Sequence, residues 1–512
     1  MLASAQSHAV LGMDAYPVEV ETDLGRGLPA FTIVGLPDAA VREAKERVRA
    51  GIVNSGFEFP LRRITVNLAP ADVRKEGPAF DLPIALSLLA ASGQLGGNRL
   101  AEFSAAGELS LDGSIRGISG ALSISEGARR AGRRGLIVPA ANAAEAALIG
   151  GLEVIGVTSL EQAAGFLTGK MTVKPSCVDA AVLISTGSNG HLDLADVKGQ
   201  EHARRALEVC AAGGHNLLMI GPPGAGKTMM ARRLPSILPG LDVAEAIEVT
   251  RIYSVANLLG EDTAVVADRP FRSPHHTISH AGLAGGGSTP RPGEVSLSHL
   301  GVLFLDELPE FSRLALETLR QPMEDGRVTI SRATGSVTFP ARFMLVAAMN
   351  PCPCGHLGDP RQDCACPPQK VAAYRGRISG PLLDRIDVAA EVPALSRKQL
   401  MSTAHRENSA AVAARVAAAR GRQRERFAGA AAYCNAQMDS ALAERHCRLD
   451  AAARGLLETA IDRLGLSARA HHRILKVART IADMEGASDI QPAHLAEAIS
   501  YRSIDRRGWH GC

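Results

Sequence analysis

Long hydrophobic runs are missing from this 512-residue sequence. No apolar run reaches the roughly 18 residues that a membrane-spanning helix needs, so no transmembrane segment is predicted. The first 21 residues, MLASAQSHAVLGMDAYPVEVE, also lack a basic stretch followed by an apolar stretch, which argues against a secretory signal. With 21% charged residues and a mean hydropathy of +0.04, the composition is that of a soluble globular protein. A cytoplasmic location without membrane contact is expected.

A large excess of charge is also missing, and cysteines are few. The net charge of +3 does not by itself indicate a nucleic-acid-binding protein, although arginines cluster at 129–134 and 415–426. Of the nine cysteines, four crowd into residues 352–366 while the others are scattered. This distribution favours a reduced compartment and a local metal site over a disulfide framework.

The length suggests about three domains, and the predicted fold class is α/β multidomain. Residues 1–170 alternate β-rich runs with Ala-rich helical segments and are predicted to form one compact α/β domain. Residues 171–190 carry Pro, Ser, Gly and Asn without periodicity, which indicates a linker. Residues 191–393 alternate strands and helices as a second α/β domain. Residues 394–512 are Ala/Arg-rich and predict a helical lid.

The strongest motif is GPPGAGKT, which follows an apolar run ending at Ile220 and precedes the helix-forming MMARRL. It fits the phosphate-loop pattern, in which glycines let backbone N–H groups surround phosphates and a lysine reaches the β and γ oxygens. A chance Gly-rich turn is the alternative, but the strand before it and the helix after it supply the expected context. The predicted ATP-binding residues are Gly221, Pro222, Pro223, Gly224, Ala225, Gly226, Lys227 and Thr228.

Two carboxylates follow a second buried strand about 80 residues downstream, in GVLFLDE. Asp306 is expected to hold Mg²⁺ together with Thr228, and Glu307 to deprotonate the attacking water. A third apolar strand ends in Asn350, which is the candidate sensor of the γ-phosphate or the water. The alternative for Asn350 is a turn-capping amide.

Four cysteines, Cys352, Cys354, Cys364 and Cys366, form two C-x-C pairs directly after Asn350. Four thiolates suit tetrahedral Zn²⁺, although C-x-x-C spacing is more usual. His356 could replace one of them. A structural zinc that staples this Pro-rich loop is the prediction.

The middle and last domains resemble AAA+ ATPases of the clade that holds magnesium chelatase and the MCM helicases. The resemblance rests on GPPGAGKT, FLDE, Asn350, GPLLDRID at 380–387 and SAR at 467–469. It implies that Arg385 reaches the γ-phosphate of a neighbouring subunit, with Arg377 as the second candidate, and that Arg469 is the phosphate-contacting arginine of the lid. A site completed by a neighbour implies a ring, expected to be a homohexamer.

Two inserts bear on the substrate. The segment EDGRVTISRATGSVTFPARF contains two β-rich runs joined at Arg332, which predicts a hairpin, and a Gly/Pro/His-rich stretch spans residues 269–293. In the MCM relatives such hairpins grip the DNA backbone. By resemblance Arg332 is a candidate phosphate contact, with Arg272 weaker. The alternative for Arg332 is a solvated turn residue.

The first domain resembles the proteolytic domain of Lon through KEGPAFDLPIAL and GELSLDGSIRGISGAL. The serine position is Ala79 and the lysine position is Leu122, so no nucleophile or amine base is available and peptidase activity is rejected. An inactive Lon-like domain, an AAA+ core, CPCG after Asn350 and a chelatase-type C-terminus together resemble the YifB/ComM family of competence-associated proteins.

This resemblance implies an ATP-driven hexameric DNA motor, a helicase that drives branch migration as single-stranded DNA integrates by homologous recombination in natural transformation. Its partners would be single-stranded and branched DNA and its own copies, and its cofactors ATP and Mg²⁺, with structural Zn²⁺. The alternative is a chelatase-type motor that remodels a protein partner. No integrin-type domain, acidic metal-binding linker or tetrapyrrole site supports that alternative.

Overall fold

The computed structural model describes residues 1–72, 74–96, 99–186, 192–260, 263–287, 290–332, 335–359, 361–401, 406–430 and 432–502. No helix in these ranges is long and apolar enough to cross a bilayer. The architecture is mixed α/β with two separate main sheets, followed by a helical C-terminal part. This agrees with the fold class that the sequence predicts.

The N-terminal part is built on a seven-stranded mixed sheet with the order β3-β4-β2-β1-β5-β8-β9. The strands of this sheet are β1 (Leu2–Leu11), β2 (Asp14–Gly25), β3 (Ala30–Val34), β4 (Arg63–Ala69), β5 (Phe103–Ala105), β8 (Gly135–Pro139) and β9 (Glu153–Val157). A separate two-stranded ribbon consists of β6 (Glu108–Leu109) and β7 (Ile115–Arg116). Its helices are α1 (Ala39–Asn54), α2 (Asp81–Ala91), α3 (Arg99–Glu102), α4 (Ala121–Arg130), α5 (Ala140–Ala147) and α6 (Leu160–Leu167).

Sequence patterning explains how this sheet is covered. Strand β2 alternates buried and accessible residues, with Val18 and Val20 inside, as expected for a strand with one face on the core. Helix α2 is apolar on nearly every side and lies buried against β1 and β2. A helix that is hydrophobic all round belongs in a core, and α2 is part of the centre of this one.

A short helix, α7 (Ala180–Thr186), lies inside the predicted linker. Its apolar residues Ala180, Leu183 and Ile184 pack against a cluster that contains Val249. The segment is therefore not irregular throughout, because these side chains find an apolar surface that local composition does not reveal. Residues 187–190 of the predicted linker lie outside the described residues.

The central part carries a five-stranded, entirely parallel sheet with the order β11-β14-β17-β10-β18. The strands of this sheet are β10 (Leu217–Ile220), β11 (Phe271–Arg272), β14 (Val302–Leu305), β17 (Met344–Met349) and β18 (Val388–Glu391). Two separate antiparallel hairpins are formed by β12 (Gly285–Gly286) with β13 (Arg291–Pro292) and by β15 (Arg327–Arg332) with β16 (Gly335–Pro340). Its helices are α8 (Glu201–Gly213), α9 (Lys227–Ala231), α10 (Val243–Val255), α11 (His280–Ala284), α12 (Glu294–Leu297), α13 (Arg313–Thr318), α14 (Arg320–Asp325), α15 (Pro368–Arg375) and α16 (Gly380–Leu383).

Both faces of the parallel sheet are covered, which is why its strands read as continuous apolar runs. Leu217 and Met219 of β10 face one core, which the C-terminal helices also enter, while Leu218 faces the other. The predicted hairpin is confirmed: β15 and β16 are antiparallel, with Arg332 opposite Gly335 at the last pair.

The C-terminal part is helical, as predicted. Its helices are α17 (Arg397–Met401), α18 (Ser409–Arg426), α19 (Ser440–His446), α20 (Ala451–Leu464), α21 (Ala468–Glu485) and α22 (Pro492–Ser500). Helices α18 and α21 pack on α8, so the C-terminal part shares one core with the sheet. A buried cluster joins the two helices: Asp483 accepts hydrogen bonds from Arg426 and Arg479.

The N-terminal part contacts the central part mainly through α4 and α10. Arg251 on α10 pairs with Asp14 at 2.9 Å, and the Ser254 hydroxyl donates to the buried carboxylate of Glu145. The β1–β2 turn also reaches the predicted DNA hairpin, because Gly12 lies so close to Val337 that a β-carbon on Gly12 would clash with it. The hairpin is therefore contacted by the N-terminal part near its middle, because Val337 pairs with Ile330.

Candidate functional site

The phosphate loop lies between β10 and α9, at the carboxyl edge of the parallel sheet. Gly224 and Gly226 have left-handed backbones, with φ of 74° and 93°, which side-chain-bearing residues rarely adopt. A β-carbon on Gly221 would lie 2.0 Å from the carbonyl oxygen of Val392. The loop thus needs glycine at these positions for conformation or for space, and it presents its backbone at the start of α9.

Lys227 is folded back over this loop. Its Nζ donates to the carbonyl oxygens of Gly221 at 2.6 Å and Pro222 at 2.9 Å, and to Oδ1 of Asn350 at 3.1 Å. Burial lowers the pKa of Lys227 to about 8, although the charges of Asp306 and Glu307 oppose the shift. A phosphate at this position would favour the ammonium form, which is how a buried lysine comes to bind an anion.

The sheet order brings the other predicted residues to the same place. Strand β17 lies between β14 and β10 and all three run parallel, so Asp306, Asn350 and the phosphate loop meet at one edge. The Thr228 hydroxyl donates to Oδ2 of Asp306 at 2.6 Å. A hydroxyl and a carboxylate oxygen this close can share one Mg²⁺, since Mg²⁺ prefers oxygen ligands.

Glu307 follows with an unusual backbone. Its φ is +53°, a left-handed value uncommon outside glycine and frequent where a side chain is aimed at a functional site. Its side chain is 56% exposed, and its Oε2 lies 3.8 Å from Nδ1 of His276. An accessible carboxylate next to Asp306 can serve as the base of a hydrolysis reaction.

Arg385 lies at the opposite, amino edge of the sheet. Its carbonyl accepts from Asn216, the residue before β10, and its guanidinium donates to Glu324 and to the Pro381 carbonyl. Arg469 lies nearby, with Nη1 3.6 Å from the carboxylate of Asp384. Both arginines line a cavity of about 1160 Å³ between the sheet and the C-terminal helices. The structure therefore brings them together, away from their own phosphate loop.

Arg377 is placed differently. Its Nη1 donates to Oε2 of Glu310 at 2.9 Å and to the Pro309 carbonyl, three and two residues after Glu307. It therefore lies on the same side of the sheet as Asp306 and Glu307 of its own chain, unlike Arg385.

The four predicted thiols converge. Cys352, Cys354 and Cys364 have Sγ atoms 3.4–3.6 Å apart, and all four sulfurs lie within 4.8 Å of one another. A tetrahedral Zn²⁺ with bonds of about 2.3 Å needs sulfurs about 3.8 Å apart, so the set fits. The backbone N–H of His356 lowers the pKa of Cys354 to about 6, which favours thiolate. His356 itself pairs with Asp359.

This cysteine loop also touches the nucleotide site. A β-carbon on Gly355 would lie 2.6 Å from Cδ of Pro223, so the loop packs directly against the phosphate loop. Gly355 has a φ of +86°, which lets the chain make this close approach.

We expect the purified protein to carry one zinc per chain, and Cys364→Ser to lose most of it, because three thiolates bind less tightly than four. Elemental analysis of protein prepared without chelator measures this directly. Cys177→Ser, at an exposed cysteine far along the chain, is the matched control and should keep its zinc. Wild-type protein free of zinc would contradict the assignment.

The two candidate DNA contacts differ. Arg332 is exposed at the end of β15, with its guanidinium close to Gly286. Arg272 instead makes a two-pronged ion pair with Glu294, both contacts at 2.7 Å. Arg332 is accessible to a phosphate, whereas the guanidinium of Arg272 is already paired with Glu294, the first residue of α12.

The polar residues of the segment KEGPAFDLPIAL also make structural contacts. Asp81 is fully buried and accepts two hydrogen bonds from Arg47, and the Lys75 ammonium donates to the Pro70 carbonyl. Leu122 is buried at the contact with the central part. Nothing in this arrangement replaces the serine and lysine that the sequence lacks at Ala79 and Leu122.

Two residues of the site escaped the sequence reasoning. Gln200 donates to the carbonyls of Ala225 and Pro393, which ties the phosphate loop to the segment that follows β18. His276 contacts Glu307 from the Gly/Pro/His-rich insert. The paired histidines of SPHHT were visible in that insert, but their distance from Glu307 along the chain hid the contact.

Three family models match the chain: "Subunit ChlI of Mg-chelatase" over residues 20–142, "Magnesium chelatase, subunit ChlI" over 193–400, and "Magnesium chelatase, subunit ChlI C-terminal" over 406–502. A 149-residue match to Lon protease 2 of Bacillus subtilis is 30% identical and covers 27% of this chain and 26% of that protein. The chain is also 47% identical to YifB of Escherichia coli over 507 residues and to competence protein ComM of Haemophilus influenzae over 509, covering 99% of this chain and 98% of each relative. With this identity over its full length and a magnesium-chelatase-like AAA+ core, the chain belongs to the YifB/ComM family.

Proposed function

We propose that this protein is an ATP- and Mg²⁺-dependent DNA motor that works as a homohexameric ring and drives branch migration when single-stranded DNA is recombined into a chromosome. Lys227 and Thr228 bind the triphosphate, Asp306 holds Mg²⁺ with Thr228, and Glu307 activates water. Asn350 orients the γ-phosphate or that water. One relative that matches over its full length is named a competence protein, and this supports a role in the recombination of incoming DNA.

The position of Arg385 is the observation that carries the ring. Gly221 is five residue steps after Asn216, across β10, and at about 3.3 Å per step the two ends are about 16 Å apart. The Arg385 backbone is fixed at the Asn216 end, and its guanidinium is anchored there by Glu324. An arginine held at that edge reaches a triphosphate only if a neighbouring subunit brings one, so we assign Arg385, and not Arg377, as the residue acting in trans.

Arg469 supports the same arrangement. It is 65% exposed and shares the cavity with Arg385, so both guanidinium groups face the place where a neighbour's nucleotide would dock. Guanidinium groups suit contact with a triphosphate because their positive charge is delocalised and they remain protonated at any working pH.

The β15–β16 hairpin supports a DNA track. It is a two-stranded sheet separate from the parallel sheet, carries the exposed Arg332 near its end, and is contacted by the N-terminal part at Val337. Contacts to phosphates carry little sequence information, so the motor is expected to act on DNA of any sequence and to weaken as salt rises. We assign residues 1–170 as a Lon-like, non-proteolytic domain that organises this surface.

Remodelling of a protein partner, as in a chelatase, is the second candidate, because all three matching models describe magnesium chelatase subunits. The two candidates differ in what stimulates ATP hydrolysis. Polynucleotide stimulates a DNA motor and has no reason to stimulate a chelatase.

Strand displacement from a labelled three-strand recombination intermediate tests the proposal. With ATP and Mg²⁺ we expect wild-type protein to displace the strand, and Lys227→Ala to be inactive because its phosphate site lacks the ammonium. Arg232→Ala, just after α9, is the matched control for loss of a cation. Wild-type protein that hydrolyses ATP but leaves the DNA unprocessed would overturn the motor and favour a protein client.

A further inference from the structure

Asn216 is a half-buried residue at the amino edge of the parallel sheet, and its side chain takes no part in the proposed chemistry. It stands directly before β10, which lies between β17 and β18. Its backbone carbonyl accepts from the N–H groups of Asp387 and Val388 at 3.1 and 3.0 Å, and its backbone N–H donates to Oδ2 of Asp387 at 3.0 Å. The main chain of Asn216 is therefore fixed to the start of β18.

The side chain of Asn216 connects two other segments. Its Oδ1 accepts from the N–H of Leu345 in β17 at 2.8 Å, and its Nδ2 donates to the carbonyl oxygen of Arg385 at 2.9 Å. A carboxamide carries an acceptor and a donor on one planar group, so a single short side chain makes both contacts. The backbone of Arg385 is thereby tied to β17, the central strand of the sheet.

Arg385 depends on this tie because it lies in a short connection. It follows the last residue of α16 by two positions and precedes β18 by three. Within the connection its own N–H donates to the Leu382 carbonyl at 2.9 Å. A guanidinium assists phosphoryl transfer only when it is aimed at the transferring oxygens, and a misplacement of about 1 Å can cost about 10²-fold in rate. A shift of the Arg385 carbonyl moves the base of this side chain.

We propose that Asn216 is a positioning residue for the arginine that acts in trans: its side-chain amide sets the direction of Arg385 and so serves the active site of the neighbouring subunit. The proposal rests on the proposed function, because it needs Arg385 to act across a subunit boundary. The consequence is the opposite of what chain position suggests. Asn216 directly precedes the strand that leads to the phosphate loop of its own chain, yet a defect at Asn216 should appear at the neighbour's nucleotide.

Asn216→Asp replaces the amide donor with a second oxygen and keeps an acceptor for the Leu345 N–H. The new oxygen repels the Arg385 carbonyl, so we expect ATP hydrolysis to be about tenfold to hundredfold slower than in wild type, as for a catalytic group that is present but misplaced. Binding of a fluorescent ATP analogue and the thermal midpoint should stay close to wild type, because the backbone bonds of residue 216 remain. Asn216→Ala removes both amide contacts without adding charge and repeats the test.

The matched control is Asn408→Asp. Asn408 is the N-cap of α18, where its side chain accepts from the Ala411 N–H, and aspartate caps a helix equally well. This variant makes the same chemical change away from Arg385 and should hydrolyse ATP at the wild-type rate.

Mixed rings decide which active site depends on Asn216. Asn216→Asp chains are combined in equal amounts with Lys227→Ala chains, which lack a working phosphate loop but keep Arg385, and separately with Arg385→Ala chains, which keep the loop. In the first mixture about one quarter of the interfaces of a cyclic ring join an intact loop to a well-placed arginine, so hydrolysis should recover toward that share of the wild-type rate. The second mixture contains no well-placed arginine and should not recover.

Recovery in the second mixture would overturn the proposal, because Asn216 would then support the phosphate loop of its own chain. Absence of recovery in both mixtures, or wild-type hydrolysis by Asn216→Asp and Asn216→Ala alone, would overturn it as well. A third mixture, of Lys227→Ala with Arg385→Ala chains, separates these failures from a failure of the ring. If the third mixture recovers, only the role of Asn216 is rejected. If it stays inactive, Arg385 does not act in trans, and the assignment of Asn216 falls with that part of the proposed function.

Discussion

Glu307→Gln is expected to reduce ATP hydrolysis by about 10²- to 10⁴-fold, the usual contribution of a general base. The substitution keeps the size of the side chain and removes the carboxylate that, in the proposed mechanism, accepts the proton of the attacking water. Binding of ATP should persist, because Lys227, Thr228 and the loop backbone are untouched. A fluorescent ATP analogue and a steady-state phosphate assay measure the two properties separately.

The matched control is Glu317→Gln, which neutralises a carboxylate on α13 that pairs with Arg320 outside the nucleotide site. It should hydrolyse ATP at a nearly wild-type rate. Less than a tenfold loss in Glu307→Gln would remove Glu307 as the base and leave Asp306 as the candidate. Loss of nucleotide binding in that variant would indicate a damaged site and not a missing base.

Arg385→Ala should reduce the rate of ATP hydrolysis at least as much as Glu307→Gln does. A guanidinium that stabilises the transition state of phosphoryl transfer accelerates the reaction by about 10³- to 10⁵-fold. The sharper test is to mix subunits. Arg385→Ala chains have intact phosphate loops, and Lys227→Ala chains have intact Arg385, so each is inactive alone. Random assembly of an equal mixture would place an intact loop against an intact arginine at about one quarter of the interfaces of a cyclic ring.

Recovery of about that share of wild-type hydrolysis on mixing would establish that Arg385 acts across a subunit boundary. Arg377→Ala is the comparison, because Arg377 pairs with Glu310 beside its own chain's carboxylates. If Arg377→Ala is rescued by mixing and Arg385→Ala is not, the assignment of the two arginines is reversed. Activity of Arg385→Ala on its own would show that the site is complete within one chain.

Much of the nucleotide site could be predicted because its motifs are local. The glycines of the phosphate loop, the apolar run before Asp306 and the strand ending at Asn350 each encode backbone shape or burial over fewer than ten residues. The β15–β16 hairpin and the four-cysteine cluster were predictable for the same reason. In each case the residues that must meet are close together along the chain.

The helix inside the predicted linker shows the limit of this reasoning. Residues 180–186 have little periodicity of their own, yet they form α7 because Leu183 and Ile184 find an apolar surface on another element. Short helices depend on tertiary packing for their stability, so their sequence alone predicts them poorly.

The sequence by itself determined which residues stand at the carboxyl edge of the parallel sheet, the absence of a serine at Ala79 and the four thiols of the candidate metal site. Only the tertiary structure decided that Arg385 and Arg469 share a cavity away from their own phosphate loop, that Gly355 packs on Pro223, and that His276 contacts Glu307. The physical reason is strand order. Parallel strands that are distant along the chain bring their ends together, and no local pattern encodes which ends become neighbours.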